Sequence, residues 1–516
     1  MKKFLFTSLL LLTALSLAAC SAGTAQSSSR QAGSAESARE EGFTLEGEVN
    51  GEINISCYDF TYESLLNEAA EKFESKYPGT TVNVNLFSTP PEIKTMEKDG
   101  MKMAIITTEA DPQAESDYIF KSGNDIMSGQ GADIYAIDVL PYYKYVQGGY
   151  LEDLSKYMDA DTDFNTSDYK SNILNAVKYE GGQYIMPLSY SFDILTYDPE
   201  ILETAAEDIF NGKEAMSLAQ VLELTTGFAD EYNAAREEPV KLINYGKENL
   251  FSTLFKNNYK SFVDIENKSC DFNSGSFTDL LNMVTAYADN GYISDSVFGM
   301  MKKGGGEAGS GAPEMPDFED VQRRLSTAYM LGLQGNQSLF NMLNKDAEVT
   351  RMFMSSSSAS AENHEIGALS ANDFGDVEAD VFNMFGMNAN SKNKRTAWEF
   401  IKFLLSDEMQ SSLNIISLPV NNNARAENMK LEVVEELFVP VEEREAKELT
   451  PEQQAMLDEY ASYIEDYSNQ INAVTLTDSK IMSIVTEETN LFFTGEKSAE
   501  EAASSIQSKV SLYLNE

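Results

Sequence analysis

The sequence predicts an α/β fold in which helices cover a parallel sheet, and three observations carry that prediction. First, Ile53, Ile55 and Cys57 alternate along one strand and Val82, Val84 and Leu86 along another, with a helix between them. Tyr62, Leu65, Leu66, Ala69, Ala70 and Phe73 keep the i, i+3, i+4 spacing of that helix, and Pro78-Gly79 stop it. Second, strand, helix and strand within so short a run make a βαβ unit, whose two strands are parallel. Third, further short apolar strands recur between helical segments, and the chain closes on a helix with a capping box, Ser498 to Glu501, that would bury Ile506, Val510 and Leu514.

The elements follow in order. Lys2 and Lys3 precede an apolar run, Phe4 to Leu17, too short for a stable span, and small residues lead to Cys20. This is a secretory signal, not structure. It resembles a bacterial lipoprotein signal, in which Cys20 would be acylated and become the new N-terminus. Buried acyl carbons contribute about 0.8 kcal/mol each, so two chains anchor firmly. Residues 20–47 are rich in Ser, Ala, Gly and Glu and read as a flexible tether. After the βαβ unit, residues 88–117 read as an irregular insertion. "GADIYAIDVLP" is a short strand ending at Asp138. "GGQYIMPLSYSFDILTYDPEIL" reads as two strands with an irregular middle around residues 189–191, and "KKGGGEAGSGAPEMP" as a surface loop. "RTAWEFIKFLLSDEMQ" is a helix with Ala397, Phe400, Ile401, Leu404 and Leu405 on one face.

Charge and composition narrow the function. The 516 residues carry 83 acidic against 38 basic side chains, a formal charge of −45, so no basic footprint for nucleic acid exists and anionic surfaces are disfavoured. Neutral or cationic small molecules remain. The single histidine, His364, follows a polar run and reads as a solvated loop residue, which leaves Ser-His or Cys-His catalysis without a base. Besides Cys20 there are only Cys57 and Cys270, read as two separate thiols rather than a disulfide, and no structural zinc set. Gly304 and Gly309 imitate a phosphate loop, but Ser310 stands where its lysine belongs. Asp159, Asp161, Asp163 and Asn165 have calcium-loop spacing, but Phe164 and Lys170 replace its glycine and its glutamate, so a solvated acidic turn is expected. Tyr58, Tyr142, Tyr143, Tyr190 and Phe192 sit at strand ends or turns, where α/β crevices form and flat aromatic faces meet sugars.

The order of these segments resembles the extracellular solute-binding proteins of bacterial ABC importers, the group with maltose- and oligosaccharide-binding members. "GEINISCYDFTYESLLNEAAEKFESKYPGTTVNV", "GNDIMSGQGADIYAIDV", "YEGGQYIMPLSYSFDILTYDPEIL" and "FFTGEKSAEEAASSIQSKV" carry the resemblance. "SKNKRTAWEFIKFLLSDEMQSSLNIISLPVNNNA" is the most specific piece. The sequence departs in the Gly-rich run at 304–313 and in lacking stacking tryptophans, since Trp398 falls inside a predicted helix. The resemblance implies a two-lobe periplasmic-binding-protein-like fold with discontinuous lobes: 48–189 plus 383–417 as lobe 1, and 190–382 plus 418–516 as lobe 2. Crossovers fall near 189–192, 370–383 and 418–422, and the ligand sits in the interlobe cleft. It implies a monomer that captures a neutral carbohydrate, of oligosaccharide size, by hinge closure and hands it to ABC permease subunits. No catalysis, cofactor or metal is implied, and the only membrane attachment is the lipid. A receptor for another small solute, a sensor lipoprotein on the same fold, or a surface glycosidase are the rival readings. Position by position, the resemblance gives Tyr58 and Asp59 after the first strand, Asp138 as a hydroxyl acceptor, Tyr190 and Phe192 at the crossing, and Gln334, Asn336 and Gln337 in "GLQGNQS". For Asp59 the alternative is helix capping ahead of Thr61, and for the three amides a plain turn with a helix cap.

Overall fold

A computed structural model describes residues 43–88, 93–98, 101–106, 114–237, 239–293, 329–343, 364–415, 417–436, 448–474 and 476–516. The Gly-rich run and the segment before Cys20 lie outside them. Thr44–Glu516 group as one contact unit.

The βαβ unit forms as its pattern dictates. β1 (Gly51–Cys57) and β2 (Thr80–Leu86) are parallel, with Ile53 opposite Val82 and Ile55 opposite Val84. The helix Tyr62–Lys76 buries Tyr62, Leu65, Leu66, Ala69 and Phe73. Phe73 meets Phe400 edge-on from the helix Lys394–Leu404, which carries the chain's one tryptophan, fully buried. The insertion is less irregular than its sequence suggests. β3 (Ile93–Lys98) and β4 (Met101–Ile106) pair as an antiparallel hairpin, and a helix begins at Ala114.

β5 (Ile134–Ala136) joins β1 in parallel. The next segment corrects the expectation of two strands with a break. β6 (Met186–Tyr197) is one continuous strand of 12 residues. β7 (Ala215–Ser217), β8 (Val263–Asp264), β9 (Ser269–Cys270), β10 (Leu331–Gly335), β11 (Glu365–Ala371), β12 (Glu378–Met387), β13 (Leu418–Pro419) and β14 (Ala473–Val474) complete the strands among the described residues. The large sheet runs β2-β1-β5-β12-β6-β11-β7, with β10 and β13 also on β6 and β14 on β12.

β6 is the strand through which the sheet is organised. Its first part pairs with β12, from Met186 opposite Phe385 to Phe192 opposite Ala379. Its second part, Asp193 to Tyr197, pairs with β10, and Ile194 to Tyr197 with β11. β13 adds Leu418 opposite Tyr190 and Pro419 opposite Ser189. The three stretches expected to cross between lobes are therefore hydrogen-bonded neighbours. Past that point Leu195 enters an apolar core with Phe251, Phe255, Phe277, Ile481 and Val510, drawn from helices on both sides of the chain's midpoint.

His364 is a second correction. It is buried, not solvated. Its Nε2 lies 3.1 Å from the Tyr329 carbonyl and its Nδ1 2.9 Å from Thr196 Oγ1 on β6. A carbonyl only accepts, so Nε2 carries the proton and Nδ1 of the neutral ring accepts from the threonine. Cys57 and Cys270 are free thiols, the first buried and the second half-buried. In the acidic turn Asp161 accepts from the Trp398 indole and from Lys402, each at 2.8 Å, so its carboxylate is committed to the protein.

Candidate ligand cleft

Side chains alternate across a strand, and on β6 the two faces have different tasks. Tyr190 and Phe192 share one face, and both are buried. The Tyr190 hydroxyl donates to Ser468 Oγ at 3.0 Å and accepts from Arg425 Nη1 at 3.3 Å. Arg425 is itself held by Glu465 at 2.7 Å. Phe192 meets Tyr467 edge-on at 6.1 Å. Both aromatics thus fasten the crossing strand to the helix Pro451–Ser468.

Asp193, one residue on, lines a cavity of about 120 Å³ together with Tyr245, Lys256, Asn372, Glu378 and Asp380, and Phe192 borders it. Lys256 Nζ bonds both oxygens of Asp380, at 2.7 and 2.8 Å. Burial, and then the Asp380 charge, push the Asp193 carboxyl up to about 6, while Lys256 pulls it the other way. Burial and the neighbouring Asp193 push the Tyr245 phenol up to about 12.

The loop after β1 and the end of β5 form a second group. Asp59 accepts from the Thr61 amide at 2.8 Å, at the start of the helix Tyr62–Lys76. The Tyr58 ring lies 5.7 Å from Tyr118. Asp138 accepts from the Tyr62 hydroxyl and from the Met384 amide, the latter at 3.2 Å. Burial pushes its carboxyl up to about 6 against those hydrogen bonds. Beside this group, Asn383 on β12 holds a left-handed backbone, φ 52°, and its Oδ1 is buried without a partner among the described residues. Ser189 Oγ on β6 is likewise unpartnered. Tyr143 is buried and donates to Asp478 at 2.8 Å.

The amides of "GLQGNQS" separate. Asn336 is buried, accepts from the Phe192 amide at 3.2 Å and donates its own N–H to the Phe192 carbonyl at 2.9 Å, closing β10 onto β6. Gln334 pairs with Ile194 along the strand, and its Oε1 accepts from Ser338 Oγ at 3.4 Å. Gln337 is exposed and reaches Ser417, just before β13, at 2.9 Å. Phe192, Gln334 and Asn336 are thus brought together at the crossing, with Gln337 tied to the neighbouring crossover. Asp193, Tyr245, Lys256 and Asp380 are the residues that sequence reasoning missed. An acid inside the run "SFDILTY", on the opposite parity from Tyr190 and Phe192, was the signal available.

Residues 92–429 match the family model described as bacterial extracellular solute-binding protein. The chain belongs to that family. As a solute-binding protein it is the non-catalytic receptor of an ABC importer, and its mixed α/β fold recurs in solved structures. It matches the sugar-binding protein MalE from Xanthomonas citri with a TM-score of 0.53 at 12% identity, over 90% of this chain and 98% of that one. A family 1 extracellular solute-binding protein from Alicyclobacillus acidocaldarius gives 0.51 at 13% identity, covering 91% and 100%. An ABC substrate-binding protein from Listeria monocytogenes, solved with cycloalternan, gives 0.50 at 17% identity, covering 90% and 99%. No curated protein matches the sequence. Among the described residues of this solute-binding protein, no helix is long and apolar enough to cross a membrane, and no group of His, Cys, Asp and Glu side chains could hold a metal ion.

Proposed function

We propose that this protein is a lipid-anchored receptor that captures a carbohydrate, of oligosaccharide size, between two lobes and presents it to a membrane permease. One observation carries the reading. β6 pairs with β12 over residues 189–192 and with β13 at 189 and 190, so the three segments expected to cross between lobes run together, and a polar cavity includes Phe192 and Asp193. Crossing strands gathered in this way would concentrate hinge motion in a few backbone positions. Lobe 1 would comprise 48–189 plus 383–417, and lobe 2 the residues 190–382 plus 418–516. Closure needs a ligand that touches both lobes, because only a difference in affinity between open and closed forms moves that equilibrium. Asp59, Asp138, Asp193, Gln337 and the orphaned oxygens of Ser189 and Asn383 offer acceptors and donors suited to vicinal hydroxyls. The bound cycloalternan of the Listeria protein supports a saccharide. Cys20 would hold the receptor at the outer face of the membrane.

Titration calorimetry of the purified protein against linear and cyclic oligosaccharides tests the ligand class, with X-ray scattering in parallel. Saturable heat with a fall in radius of gyration is the expected result. Heat without compaction removes the hinge, and silence across the whole panel removes the carbohydrate. For the anchor, Cys20→Ala should move the protein from the membrane fraction into the medium.

A further inference from the structure

Asp193 is the unusual member of the cavity beside the crossing strands. Three carboxylates line that space, Asp193, Glu378 and Asp380, and the single ammonium there, Lys256, is already bonded by both Asp380 oxygens. Glu378 accepts from Asn372 Nδ2 at 3.1 Å. Against these, the Asp193 carboxylate takes no hydrogen bond among the described residues, although β10 and β11 flank its strand and Tyr245 stands against it. The cavity, of about 120 Å³, has room for a polar group of a ligand lying against these strands.

We propose that this cavity is a subsite for a protonated amino group carried by the ligand, with Asp193 as its counter-ion. The proposal rests on the carbohydrate-receptor reading above and narrows it to an aminated saccharide in place of a wholly neutral one. A hydroxyl donating to Asp193 would satisfy one lone pair and leave the charge uncompensated when closure expels water. An ammonium supplies both the hydrogen bonds and the opposite charge. Lys256 eases the Asp193 charge only in part, because it is bonded to both Asp380 oxygens and one ammonium faces three carboxylates. Tyr245 and Phe192 add aromatic surface, which attracts a cation and does not repel its alkyl stem. The −45 charge of the chain enriches cations around it and disfavours an anionic substituent at the same place.

The test is calorimetry with four probes: the trisaccharide of β-1,4-linked glucosamine, its fully N-acetylated counterpart, maltotriose, and the simple diamine putrescine. The glucosamine trimer should bind at least tenfold more tightly than the acetylated one. Asp193→Asn should erase that difference while leaving the melting temperature within a few degrees. A second variant keeps the test sharp if that one misfolds. Lys256→Met frees Asp380 and should strengthen binding of the aminated probe severalfold. Equal affinity for the acetylated and free-amine trimers, or a preference that survives Asp193→Asn, overturns the subsite and leaves the carbohydrate receptor standing. If no saccharide binds, putrescine decides. Binding lost in Asp193→Asn upholds the amine subsite while the carbohydrate falls, and no binding overturns both.

Discussion

Around Thr196 three strands meet, and a single imidazole keeps them in register. His364 ties β6 to the Tyr329 carbonyl, and it can do so as described only while neutral. Burial lowers its pKa below the ordinary 6.5, and the hydrogen bond to the Tyr329 carbonyl partly offsets this. The contribution of His364 is therefore complete above about 6.5 and is lost as pH falls through its lower folded-state value. His364→Gln should be less stable than the parent at pH 7.5, by about 1–3 kcal/mol for a disturbed buried hydrogen bond. That gap should narrow toward pH 5, as read from urea unfolding at each pH. The comparison must be made between the two proteins. Asp138 and Asp193, with carboxyls raised to about 6, add the opposite slope to both, gaining stability as they protonate. Gly332 on β10 is fixed by the same contact. A Cβ there would lie 2.4 Å from Thr196 Oγ1 and 3.1 Å from His364 Nδ1. Gly332→Ala should cost about 1–3 kcal/mol by overpacking, seen as a lower urea midpoint. None of this was legible in the sequence, where the histidine follows a serine-rich run and looks wet. Only the pairing of β10 and β11 on either side of β6 takes it inside.

At the level of elements, regular periodicity was readable and irregular burial was not. The alternation of β1 and β2 and the apolar faces of the helices Tyr62–Lys76 and Ala499–Asn515 are all present. The capping box of Ser498 and Glu501 is made in both directions. β6 defeated the same reasoning because Pro187 and the serines at 189 and 191 look like a break. They stay in one strand because β12 and β13 pair with it there, and Ser189 is wholly buried. The same strand shows why the site was only half visible. Aromatic residues drew attention to Tyr190 and Phe192, whereas parity puts Asp193 into the cavity. The hydroxyl of Tyr190 is held by Ser468 and Arg425, so Tyr190→Phe should cost about 1–2 kcal/mol of stability. Its saccharide affinity should change less than twofold. A tenfold loss of affinity with stability intact would place that hydroxyl on the ligand instead.

For the whole molecule, the excess of 83 acidic over 38 basic groups means that compaction works against self-repulsion. The melting temperature should therefore rise as sodium chloride goes from 20 to 300 mM. Most of the gain should come at the low end, where added salt shortens the screening length most. A flat response would show the charges to be paired locally. Interleaving of the sheet has a further outcome for biogenesis. Among the described residues, β5 and the first part of β6 are joined in the sheet by β12, at residues 378–387. Until the ribosome has delivered that strand, some three-quarters of the polypeptide lacks the piece that seals its middle. The large sheet therefore closes late, after most of the chain has been made.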